Sequence, residues 1–236
     1  MKLLLAMAAM FLHSLHAQTT TGLDLSGEWQ CRLDPDDAGL AEGWAGSAAG
    51  FASPIALPGS TDLAGLGPEQ SNAGPHEYHL IRAHAHVGPA WFTRMITVPA
   101  AWAGKPATLV LERVMWQSRV WVDGKECGGA QDSLCVPHQF PMGVLAPGPH
   151  RLAVRVDNRM IHPIGDKGHA YGDEMQGRWN GIAGAIRMKV AMPDDVTGVR
   201  IFPDAEKRSV KVELRSAGGS TGRATVRLTD NEGNPV

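Results

Sequence analysis

Arg119-Val120-Trp121-Val122-Asp123-Gly124-Lys125 reads as one arm of a β-hairpin followed by its turn. Val120 and Val122 fall on one side of an extended chain and Trp121 on the other, because strand side chains alternate with period two. Asp123-Gly124 then reverses the chain in two residues, glycine taking positive φ without steric cost. Outward from this stretch the same pattern recurs. Phe92, Arg94, Ile96 and Val98 alternate with Trp91, Thr93, Met95 and Thr97, and Thr108 to Val114 forms a second run. Leu152, Val154 and Val156 alternate with Arg151, Ala153 and Arg155, and Ile186, Met188 and Val190 with Arg187 and Lys189. Each pattern turns one apolar face inward and predicts a sheet solvated on its other side. Helical patterning is confined to Asp36 to Trp44 and Pro99 to Ala103. Many strands at hairpin spacing without alternating helices predict an all-β chain, folded as a β-sandwich.

Composition agrees. Hydrophobic residues make up 43% of the 236 positions, enough for a real core, and charged residues at 19% argue against disorder. The net charge of −2 leaves no electrostatic footprint for nucleic acid, and none is expected as a partner. The 28 glycines and 16 prolines punctuate short apolar runs, as all-β chains require.

Residues 1–17 stand apart. Lys2 precedes the apolar run Leu3 to Leu12, too short to span a bilayer, and a polar stretch ends at Ala17. This predicts a signal peptide cleaved after Ala17 and a secreted or periplasmic protein that leaves no membrane anchor behind. Cys31, Cys127 and Cys135 are an odd set without a C-x-x-C pair. Export would permit a Cys127–Cys135 bridge, but the reading favours three unpaired, partly buried thiols and no zinc site.

The alternating series ends near Ala191-Met192-Pro193-Asp194-Asp195, a polar linker. One domain is therefore expected over 23–192. Beyond it, Val199 and Ile201, then Val210, Val212 and Leu214, then Val226 and Leu228, predict three strands of an immunoglobulin-like β-sandwich over 195–236. Such a sandwich needs roughly 100 residues, so the second unit is expected to be truncated and marginal alone.

Chemistry concentrates in Arg178-Trp179-Asn180-Gly181-Ile182-Ala183-Gly184-Ala185-Ile186, with Asp173 and Gln176 just upstream. A carboxylate, two amides and an indole share one glycine-containing loop. Sugar hydroxyls bond to carboxylates and amides, while the C–H face of a sugar ring packs on an indole. Asp173, Gln176, Trp179 and Asn180 are the candidate substrate-binding residues. Of Trp29, Trp44, Trp91, Trp102, Trp116 and Trp121, most sit within strand patterns and read as core, since burying an indole is worth several kcal/mol.

Several motifs in order resemble glycoside hydrolase family 2, the β-galactosidase, β-glucuronidase and β-mannosidase superfamily. Leu25-Ser26-Gly27-Glu28-Trp29 is similar to its opening strand, and Leu57-Pro58-Gly59-Ser60 follows. Pro89 to Arg94 resembles its W-Y-x-R strand, Arg119 to Lys125 its V-W-V-N-G hairpin, and Pro147 to Asn158 its L-x-V-x-V-D-N strand. The resemblance implies a galactose-binding-like jelly roll, an immunoglobulin-like domain and a (β/α)8 barrel with two catalytic glutamates lying beyond Val236. It also implies binding of a non-reducing-end β-sugar, contact between this part and the barrel, and no cofactor. Asp173 falls where bacterial β-galactosidases carry an aspartate that reaches the sugar pocket.

No residue of this chain is assigned a catalytic role. Retaining hydrolysis needs two carboxyls about 5–5.5 Å apart. Asn231-Glu232 mimics the acid/base motif but sits in a predicted turn. Gly218-Gly219-Ser220-Thr221-Gly222 matches a nucleophile elbow, yet a strand rather than a helix is expected after it. His76, His79, His84 and His86 crowd together without a Cys or carboxylate at ligand spacing, so no metal is expected. The rival reading is a free-standing carbohydrate-binding module or lectin-like protein without hydrolase activity.

Overall fold

In the computed structural model the described residues are 22–70, 82–133, 135–163, 165, 178–190, 196–216, 225–227, 229, 232 and 234. The expected signal peptide, the linker at 191–195, His76, His79, Asp173, Gln176 and the 218–222 motif lie outside them.

Among the described residues the strands are β1 (Gly22–Asp24), β2 (Gly27–Leu33), β3 (Ser53–Leu57), β4 (Gly59–Ser60), β5 (Pro89–Val98), β6 (Pro106–Leu111), β7 (Val114–Met115) and β8 (Gln117–Val122). They continue as β9 (Lys125–Glu126), β10 (Gln131–Asp132), β11 (His138–Val144), β12 (Gly148–Asp157), β13 (Gly181–Ile182), β14 (Ile186–Val190), β15 (Val196–Asp204) and β16 (Ser209–Ser216). One sheet runs β10-β8-β12-β5-β2-β3, with β9 also paired to β8, and a second runs β1-β14-β6-β11. A small sheet, β4-β13-β7, joins segments at one end, and β15 with β16 forms a separate hairpin. Pairing is antiparallel throughout, and the fold is the all-β sandwich expected.

The register follows from the alternation. β5 and β12 pair over their whole length, from Gly148↔Val98 to Asp157↔Pro89, which puts Phe92 opposite Val154 and Ala90 opposite Val156. A slip of one residue would expose that entire inward set. Between the sheets lie Trp29, Phe92, Leu109, Leu111, Phe140 and Ile186, each at most 1% exposed. Asp123 and Gly124 take φ of 49° and 81°, the left-handed pair that a two-residue hairpin demands. The helical stretches shrink to 3-10 turns at Trp44–Gly46 and Ala100–Trp102.

The other face of the larger sheet departs from expectation. Instead of meeting solvent, Trp91, Trp121 and Ala153 pack under Trp44, Ala45 and Phe51 from the long β2–β3 connection. Trp91 and Trp121 stack with centroids 5.0 Å apart, and the Arg32 guanidinium lies 3.3 Å from the Trp44 ring centre. Indoles are too large to leave wet, and the connection supplies the cover that no neighbouring strand provides. The three cysteines are unpaired, but Cys135 is exposed rather than partly buried, because it sits on the β10–β11 connection. Burial pushes the Cys31 thiol up to about 12, which keeps it protonated and inert.

β15 and β16 match two of the three strands expected after the linker. The hairpin leaves Val199, Ile201 and Phe202 exposed. Val226, expected in a third strand, is exposed and outside any strand.

Candidate functional site

The small sheet creates the site. β13 pairs with β7 (Gly181↔Met115, Ile182↔Val114) and with β4 (Gly181↔Ser60, Ile182↔Gly59). Gly181 has φ of 144°, and a Cβ there would run into the Gly59 carbonyl, so only glycine allows this close approach. The Trp116 backbone N–H donates to the Asp157 carbonyl at 3.0 Å, which draws the end of β12 to the same place. Three distant segments, 114–117, 157–163 and 178–182, thereby converge at one end of the sandwich.

An apolar cluster fills the junction. Met115 and Trp116 are buried, and Met160, Ile161 and Trp179 pack against them half-buried. His162 lies with its ring 5.8 Å from that of Trp116, and its Nε2 is 3.0 Å from the Asp132 carboxylate. Both His162 and Asp132 are exposed. Indoles, an imidazole and a carboxylate thus border one rim.

A polar frame holds Trp179 in place. Asn158 Nδ2 donates to the carbonyls of His86 (2.8 Å) and Trp179 (3.1 Å), while its Oδ1 accepts from Gly88 N–H at 2.9 Å. Sequence alone reads Asp157-Asn158 as a strand end bonding local backbone. That holds for Asp157, whose carboxylate accepts from the Arg159 backbone at 3.1 Å. It fails for Asn158, because the chain before β5 and the chain before β13 both come within reach only after the sheets close. Burial pushes the Asp157 carboxyl up, but the Arg159 hydrogen bonds and the Arg155 and Arg159 charges outweigh it and hold it below the usual carboxylate range.

The candidate residues therefore divide. Trp179 is half-buried, with its backbone pinned by Asn158. Asn180 is 1% exposed, and its Nδ2 donates inward to the carbonyls of Gly88 (2.8 Å) and Val156 (3.3 Å). Its amide nitrogen thus serves the fold. Asp173 and Gln176 lie outside the described residues. Trp116, read from sequence as core, is buried but backs the same cluster as Trp179. Asp132 joins His162 at this rim across 30 residues, and no local pattern signals the pairing.

His84 and His86 do not face a common ligand. His86 is buried with Nε2 2.8 Å from the Pro89 carbonyl, and His84 Nδ1 is 3.1 Å from the Gly67 carbonyl. Among the described residues no group of three His, Cys, Asp or Glu side chains is placed to hold a metal. Glu232 is exposed in a turn, as expected for Asn231-Glu232.

Comparison with known proteins accords with this geometry. The family model described as "Glycosyl hydrolases family 2, sugar binding domain" matches residues 23–186. A β-glucuronidase of Paenibacillus borealis is 26% identical over 140 residues, which cover 57% of this chain and 21% of that protein. The crystal structure of Ruminococcus gnavus β-glucuronidase superposes with a TM-score of 0.65 at 17% identity, covering 91% of this chain and 36% of that one. The same protein in complex with D-glucuronic acid gives a TM-score of 0.62 at 18% identity, covering 91% and 37%. Those two likenesses show the fold. The chain spans about a fifth of the curated relative and just over a third of the solved structures.

Proposed function

The chain belongs to glycosyl hydrolase family 2 through its sugar-binding domain, and on that premise we propose that it is the non-catalytic sugar-binding portion of an exported β-glycosidase. Carboxylate catalysis is assigned to a barrel on the longer polypeptide, and the residues of this chain shape the pocket for a non-reducing-end sugar. The observation that carries the reading is Trp179: a half-buried indole, its backbone held by Asn158, packed on Met115 and Trp116 at the sandwich end. An indole face receives the C–H side of a sugar ring, and charged or amide oxygens receive its hydroxyls. The relatives' names make a β-glucuronide the first substrate to try. Export rests on residues 1–17 and is checked by sequencing the N-terminus of the mature protein.

The test is a polypeptide extended through the downstream coding sequence and assayed on nitrophenyl β-glycosides. Turnover with KM raised by Trp179→Ala supports the reading. No turnover of any β-glycoside removes the glycosidase assignment, and unchanged kcat/KM in Trp179→Ala removes the site. The 236-residue chain itself is expected to be inactive, and steady turnover abolished by Glu232→Gln would overturn that expectation.

A further inference from the structure

His138 opens β11, and its ring is buried. It touches three segments. Nδ1 lies 2.6 Å from the hydroxyl of Ser118 on β8, in the opposite sheet, and Ser118 is buried too. Nε2 lies 3.0 Å from the backbone nitrogen and 2.9 Å from the carbonyl oxygen of Ser133, on the β10–β11 connection. That connection has little burial of its own: its described residues are exposed or half-buried, and so is the short β10 before it, which is held to β8 by two residue pairs. Segments with few buried contacts are the ones that open locally. The His138 ring is thus the point at which a polar connection is anchored between the two sheets.

We propose that His138 is a proton-operated latch: the neutral ring holds β10 and the connection that follows it against the sandwich, and uptake of one proton lets them open together, carrying Asp132 away from His162. The chemistry follows from the ring's partners. With the proton on Nδ1, the ring donates to Ser118 and accepts from Ser133 N–H; with it on Nε2, the ring donates to the Ser133 carbonyl and accepts from the Ser118 hydroxyl. Adding the second proton removes one acceptor in either case and places a charge in the gap between the sheets. Burial disfavours that charge, against the Ser133 carbonyl and the Asp132 carboxylate, which favour it; burial wins and holds the ring's proton affinity below that of an ordinary imidazole. Asp132 is the charged group whose field acts on the ring among the described residues, and it is itself paired with His162.

The open connection frees a ring that titrates near about 6.5, whereas the closed one titrates lower. The latch is therefore fully shut above that value and weakens as pH falls from it toward the closed-state pKa. One proton taken up on opening limits the rise in the opening equilibrium to about tenfold per pH unit within that window. The consequence at the rim is concrete, since His162 stands against Trp116 and loses its carboxylate when the connection opens.

Amide exchange read by mass spectrometry on the full chain tests this, with rates normalised to intrinsic chemistry at each pH. Peptides covering 129–137 should open more as pH falls below about 6.5, by at most about tenfold per pH unit, while peptides from β5 and β12 stay protected. His138→Gln retains a donor and an acceptor but cannot titrate, so its opening should not rise as pH falls. A wild-type connection indifferent to pH, or a His138→Gln variant with the same pH response, overturns the latch. Should that variant fail to fold, NMR titration of the unmutated chain decides. The His138 ring should titrate below its ordinary value with the Ser133 amide following; a ring titrating at the ordinary value, with Ser133 unmoved, overturns the proposal.

Discussion

The indole N–H of Trp91 donates a 2.9 Å hydrogen bond to the carboxylate of Asp34, a buried residue at the start of the β2–β3 connection. The same carboxylate accepts from the backbone N–H groups of Ala38 (2.8 Å) and Gly39 (3.0 Å). One side chain thereby folds the connection and ties it to the outer face of the larger sheet, where Trp44 and Phe51 then cover Trp91 and Trp121. Asp34→Ala leaves three donors without their acceptor and is expected to cost about 2–4 kcal/mol. Urea unfolding measures the loss, and a rise in tryptophan exposure before global unfolding would mark the uncovered sheet face.

The far end of the sandwich responds to pH in the opposite sense to the His138 latch. His150 places Nδ1 2.6 Å from the Asp123 carboxylate and Nε2 2.7 Å from the Ala146 carbonyl, so both ring nitrogens meet acceptors. The imidazolium alone can donate to both, and Asp123, then the Ala146 carbonyl, raise the His150 pKa against a small opposing effect of burial. A raised pKa contributes stability that is fully present below the unfolded value of about 6.5 and disappears as pH rises through the folded value. The Tm advantage of the native chain over His150→Leu should therefore shrink between about pH 6 and pH 9. A constant difference across that range would show that the ring acts by packing instead.

Asn158 is expected to be the most sensitive polar residue at the candidate site. Its side chain satisfies one N–H and two carbonyls drawn from either side of the site. Asn158→Ala should cost about 2–3 kcal/mol, and Asn158→Asp should not restore it, because a carboxylate cannot donate to the His86 and Trp179 carbonyls. Chemical denaturation of both variants checks this, and a stable Asn158→Asp would refute the donor role.

Asp173 carries the sharpest expectation about binding. An exposed carboxylate can accept two hydroxyls of one sugar, and charge-assisted bonds are the stronger kind. In the extended polypeptide, Asp173→Asn should lose roughly 1.5–3 kcal/mol of binding, about ten- to a hundredfold in affinity. Substrate kinetics and inhibitor affinity both unchanged, with the fold intact by circular dichroism, would remove Asp173 from the sugar site.

What the amino-acid sequence determined by itself was local. Alternation placed Phe92, Val120, Val154 and Met188 on inward faces, and all four are buried. Asp123-Gly124 specified its own turn, with both residues in left-handed backbone. Most of the tryptophans were legible as core and Trp179 as the exception, because indole size and strand context decide burial without knowledge of the partner. Tertiary structure alone decided the rest. Whether the second face of the larger sheet was dry depended on Trp44 and Phe51 arriving from outside any strand pattern. Asn158 and Gly88 meet across 70 residues, and Asn180 and Gly88 across 92, so neither amide announced that its partners were backbone. A period of two tells which way a side chain points, and only the closing of sheets on one another brings its partner there.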